Sequence, residues 1–140
     1  MEHVSERADA DTWTCRIRVS GGGLPRATHL GRELKESGQG ATLRGVEVEV
    51  RGWLSEEDGA LWLRVQQSGE RLRLAPLEKK VQWDPKGKSE QRCTPEERTA
   101  YERLRRVWRL SPQLIRVKGP LRPSPVLSPD TLEVREFGWR

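Results

Sequence analysis

The stretch Val46-Glu47-Val48-Glu49-Val50-Arg51-Gly52-Trp53-Leu54 decides the fold. Apolar and charged side chains alternate along it, and successive side chains of a strand point to opposite faces. The valines therefore face a core, while Glu47, Glu49 and Arg51 face water. Gly52 interrupts the apolar series and Leu54 resumes it. A glycine inside a strand marks a bulge or a sharp bend, which a small barrel requires. Glu56-Glu57-Asp58-Gly59 then reads as a turn, with Asp-Gly supplying the positive φ.

The alternation continues downstream. Leu61, Leu63 and Val65 face inward on the next strand, and Trp62, Arg64 and Gln66 face outward. Ser68-Gly69 turns the chain, and Leu72 and Leu74 face inward again. A two-residue loop at Ser68-Gly69 pairs Val65 with Leu72 and Leu63 with Leu74, keeping both pairs on the apolar face. The same register places Arg64 opposite Arg73.

Residues 77–92 are polar and lysine-rich and read as a long loop. Thr94-Pro95-Glu96-Glu97 is a helix start: Thr94 caps, Pro95 takes the first helical position and Glu97 completes a capping box. Tyr101, Leu104, Val107 and Trp108 form the buried stripe, and Ser111-Pro112 ends the helix. Ile115, Val117, Gly119 and Leu121 alternate on a fourth strand. Leu132 and Val134 alternate on a fifth, which ends near Phe137.

Upstream, Trp13, Cys15, Ile17 and Val19 alternate on a separate strand that Gly21-Gly22-Gly23 ends. Ala27, Leu30 and Leu34 recur at helical spacing, so a short helix is predicted over residues 26–36. The chain therefore divides into a flexible N-terminus (1–12), a strand and short helix extension (13–40) and a barrel (41–140).

The 140 residues suit one domain. Hydrophobic and charged residues each make up 34%, so the core must be small, and six tryptophans partly offset this. No segment approaches the ~20 apolar residues of a membrane span. The polar N-terminus has no apolar run of a secretory signal, which points to the cytoplasm. The alternative is an exported protein whose leader is absent, and it predicts a Cys15–Cys93 disulfide.

Three strands, a capped helix and two further strands follow the order of the OB-fold, which residues 42–137 resemble. The long first strand with Gly52 within it carries the resemblance. So do the helix over residues 95–109 and Val117-Lys118-Gly119-Pro120-Leu121. The resemblance is one of topology. It implies an all-β class with one main helix: a five-stranded Greek-key barrel with the helix between strands three and four. OB-folds host nucleic-acid binders, saccharide binders and protein-contact modules.

The net charge of +5 is unevenly placed, with ten basic against six acidic residues over 78–110. Two candidate surfaces follow. On the outer face of the first three barrel strands, Trp53, Trp62, Arg64, Arg71 and Arg73 combine stacking rings with cations, as single-stranded nucleic acid requires. The structural alternative is that Glu47 and Glu49 neutralise these arginines and the extension covers the rings. The second surface is the loop, with Lys79, Lys80, Trp83, Lys86, Lys88 and Arg92, continued by Arg105, Arg106 and Arg109 on the helix. The commoner alternative is a solvated charged surface, with Glu96, Glu97 and Glu102 neutralising part of the helix.

Catalysis and metal binding find no support in the residue pattern. His3, His29, Cys15 and Cys93 show no paired ligand spacing. Gly21-Gly22-Gly23 lacks the Gly-Lys-Ser/Thr of a phosphate loop. The expectation is a non-catalytic module without cofactor that binds single-stranded DNA or RNA, or another polyanion. The rival is a protein-interaction or structural accessory module, including one of the cell envelope.

Overall fold

The computed structural model describes residues 2–7, 13–18, 45–84, 86–110, 114–122 and 131–139. Strand β1 (Glu2–Arg7) pairs antiparallel with β2 (Trp13–Arg18). The strand expected from Trp13 is thus present, and residues 1–12, read as a flexible terminus, contain β1. The helix expected over 26–36 lies outside the described residues.

The remaining strands are β3 (Val46–Glu57), β4 (Ala60–Val65), β5 (Arg71–Pro76), β6 (Trp83–Asp84), β7 (Ser89–Glu90), β8 (Ile115–Arg122), β9 (Thr131–Val134) and β10 (Glu136–Trp139). Five of them close a barrel in the order β8-β3-β4-β5-β9, and a β8–β9 pairing joins the two ends. All neighbours are antiparallel except β5 and β9. Residues 77–92 are not wholly irregular, because β6 and β7 form a two-stranded ribbon within them.

The inward side chains are those that the alternation singles out. Val50, Leu61, Leu63, Val65, Leu72, Leu74, Ile115, Val117, Leu121, Leu132 and Val134 form one core. Burying each such side chain stabilises the barrel by about 1.5–3 kcal/mol. Helix α1 (Pro95–Val107) precedes β8 and packs against β5, β9 and β10. Its Ala100, Tyr101 and Leu104 join the same core. The capping box is formed: Thr94 Oγ1 accepts from the Glu97 N–H at 3.2 Å, and the Glu97 carboxylate accepts from the Thr94 N–H at 2.9 Å.

Gly52 faces Val65 on one side and Ile115 on the other. A Cβ there would lie 2.0 Å from the Arg64 carbonyl oxygen, so only glycine admits the neighbouring backbone.

The hairpin register differs from the expected one by two residues. Leu63 faces Leu72, Arg64 faces Arg71 and Trp62 faces Arg73. The loop is longer than Ser68-Gly69: the Val65 N–H donates to the Glu70 carbonyl, and the Gly69 N–H to that of Val65. Gly69 supplies the positive φ, at 74°. A slip of two leaves every side chain on its own face, so hydrophobic alternation cannot distinguish the two registers.

A second departure sits at the fifth barrel strand. Leu121 faces Leu132, whereas Lys118 faces Glu136. Gly119 and Pro120 therefore oppose three residues, Glu133, Val134 and Arg135. The extra residue makes a β-bulge, and Val134 and Arg135 are both buried in succession. Gly119 is its counterpart, since a Cβ there would lie 1.7 Å from the Glu133 carbonyl oxygen.

Candidate functional site

The expected face is assembled on the outside of β3, β4 and β5. Trp53, on β3, lies opposite Arg64, on β4, which lies opposite Arg71, on β5. One step further along, Ser55, Trp62 and Arg73 form the next row. Trp53 is 41% exposed and Trp62 is half-buried. The Arg64 guanidinium sits 5.5 Å from the Trp53 ring centre, and that of Arg71 sits 4.7 Å from the Trp62 ring centre. Each contact sets a flexible cation over an aromatic ring.

Two more arginines belong to this face. Arg51 shares the outward parity of Trp53 and lies directly opposite Arg116 on β8. The sequence already carries the signal for Arg51 in its alternation with Trp53. Arg116 joins only through the β3–β8 register.

The carboxylates that could neutralise the face reach only part of it. Glu49 pairs with Arg116 at 3.5 Å, and Glu57 pairs with Arg71. Glu47, weighed as a counter-ion for this face, instead turns to Arg135. Among the described residues, no carboxylate pairs with Arg51, Arg64 or Arg73. Like charges directly opposite each other destabilise a sheet, and the Arg51–Arg116 and Arg64–Arg71 pairs are both of this kind.

The second expected surface is dispersed. Lys80 is buried, and its ammonium contacts Glu97 at 3.1 Å, so it does not present a charge to solvent. Lys79 is exposed, 3.7 Å from Glu90, and its carbonyl accepts from Arg122. Trp83 is half-buried in β6. Lys86 and Lys88 are exposed in the ribbon turn, where the Lys86 N–H donates to Asp84 at 3.0 Å. Arg92, Arg105, Arg106 and Arg109 are exposed, and Arg109 reaches Glu56 at 2.8 Å.

A different set of charges is concentrated where α1 begins. The Arg135 guanidinium donates to both Glu47 oxygens, at 2.9 and 2.6 Å, to Glu97 at 3.0 Å and to Glu136 at 2.8 Å. Glu97 also holds Lys80, and Gln82 donates to Glu47 at 2.9 Å. Burial alone pushes the Glu97 carboxyl up. The Thr94 N–H, Arg135 and Lys80 outweigh that and hold it at about 2. Burial likewise disfavours the Arg135 charge, but Glu47 and Glu97 raise its pKa above the ordinary arginine value. A cleft of about 490 Å³ opens beside this network, between Thr94, Arg103, Arg116 and Phe137. Lys80, Glu97, Arg135 and Glu136, which also line it, are already matched to one another.

Cys93 is a free thiol and half-buried, while the side chains of Cys15, His3 and His29 lie outside the described residues. Among the described residues, no cluster of three His, Cys, Asp or Glu side chains is placed to hold a metal ion. No helix among them is long and apolar enough to cross a membrane. No protein-family model, curated protein or solved structure matches this chain.

Proposed function

We propose that this chain is a non-catalytic binding module of OB-like form that takes single-stranded nucleic acid on the outer face of β3, β4 and β5. The closed five-strand barrel with β5 and β9 parallel is compatible with that form. The single observation that carries the functional reading is the charge imbalance of this face. Five arginines flank two tryptophans there, and Arg51, Arg64 and Arg73 have no carboxylate partner among the described residues. Unneutralised guanidinium groups beside aromatic rings suit a ligand with regularly spaced anions and flat faces.

Trp53 makes the test direct, since a stacked base changes indole emission. Titration with a single-stranded oligonucleotide at two salt concentrations is expected to quench fluorescence, with affinity falling steeply as salt rises. Absence of binding at low salt would falsify the reading and leave the protein-contact alternative.

A further inference from the structure

The registers of β3, β4 and β5 place the arginines and tryptophans in two parallel lines. Arg51 lies on β3. Arg64 lies one strand over and two residues along, opposite Trp53. Arg73 repeats the same step onto β5, opposite Trp62. Arg51, Arg64 and Arg73 therefore form one diagonal. Trp53 and Trp62 form a second diagonal beside it with the same step. Diagonal neighbours of this kind are about 7–8 Å apart.

The three arginines on the first line are those without a carboxylate partner among the described residues. The two that do have one, Arg116 and Arg71, lie off it. The run of exposed arginines ends on both sides. One step before Arg51 is Lys118, which is half-buried and lies opposite Glu49 and Glu136. One step beyond Arg73 is Glu133, held by Arg122 at 2.6 Å.

We infer that the first diagonal is a phosphate track and the second a base track for one extended single strand, with a footprint of three phosphates and two bases. This rests on the reading of the face as a nucleic-acid surface and adds the path, the conformation and the stoichiometry. The base line selects the conformation. The bases of a duplex are stacked and paired within it, so only a single strand with its bases splayed out meets both lines at once. The bases so freed have two surfaces to meet. Trp53 offers an indole that is 41% exposed, with the Arg64 guanidinium 5.5 Å from its ring centre. At Trp62 the Arg71 guanidinium lies over the ring, and a base stacks on that guanidinium plane.

The inference is tested on the full chain with oligothymidylate across a salt series. Three phosphates give a slope of log affinity against log salt of about −2, near 0.7 per phosphate. Arg51→Gln, Arg64→Gln and Arg73→Gln are each expected to reduce that slope by about 0.7. Arg98→Gln, an exposed α1 arginine away from both lines, leaves it unchanged. A duplex is expected to bind at least about tenfold more weakly, the worth of one stacked base. Binding with unequal or absent slope changes, or equal binding of duplex, overturns the two-track arrangement while the nucleic-acid reading stands. No binding of oligothymidylate at low salt overturns both.

Discussion

Arg135 is 8% exposed and meets three carboxylates, whereas Arg64 is exposed and meets none among the described residues. The two arginines belong to one small barrel, and their surroundings separate charge matched within the fold from charge left open on its surface. At the start of α1 the charges are matched and mostly buried: Arg135 and Lys80 against Glu47 and Glu97, with Glu136 at the exposed edge. On the outer face, carboxylates are few and cations remain open. Charge that folding needs is neutralised within the fold, because an unpaired buried ion is costly. Charge on the surface gains little from pairing and can be left open.

The largest effect is expected from breaking the matched side. Arg135→Ala leaves Glu47 and Glu97 without their principal cation in a buried site. Chemical denaturation should show a loss of about 3–5 kcal/mol. Arg64→Gln should stay within about 0.5 kcal/mol of the parent, since it changes an exposed side chain. Equal losses for the two would erase the distinction.

The pH dependence tests the same network without substitution. Glu97 has a folded-state pKa of about 2, below its ordinary 4.5. A carboxyl depressed on folding contributes stability that is fully present above its unfolded value. That contribution is lost as pH falls from about 4.5 through 2. Glu97→Gln removes the group that titrates, so the acid limb of its stability curve should be flatter than that of the parent. An unchanged limb would mean that other carboxylates govern acid unfolding.

A smaller effect is expected where the network meets the helix. Thr94→Ala removes the side-chain acceptor for the Glu97 N–H and should cost about 1 kcal/mol. Thr94→Ser should restore most of it in the same denaturation measurement.

The smallest effect sharpens the open side. Glu57→Gln releases Arg71 from its one carboxylate partner. Oligonucleotide affinity should rise, by up to roughly fivefold for an exposed pair worth ~0.2–1 kcal/mol. A fall in affinity would mean that Glu57 positions Arg71 over Trp62 and does not compete with the ligand.

Alternation along residues 46–74 made the inner and outer faces legible, because a strand's side chains reverse at every residue. It therefore marked Leu61, Leu63 and Leu72 as core and Trp53, Trp62, Arg64, Arg71 and Arg73 as a shared outer surface. The capping box at Thr94 was equally legible, since its bonds join residues three apart. Register was not. Pairing Arg64 with Arg71 or with Arg73 satisfies the same alternation, and the diagonal of Arg51, Arg64 and Arg73 exists only in the register that the hairpin loop selects.

The matched charges were hidden for a related reason. Glu47 and Arg135 are 88 residues apart, and Glu47 alternates like a solvent-facing residue. Lys80 reads as one of several loop lysines until Glu97 takes it. Arg135 lies in the bulge opposite Gly119 and Pro120, which breaks the alternation just after Val134. Local pattern fixes which way a side chain points within an unbroken strand. Which distant partner it meets depends on barrel closure, and closure is a property of all five strands at once.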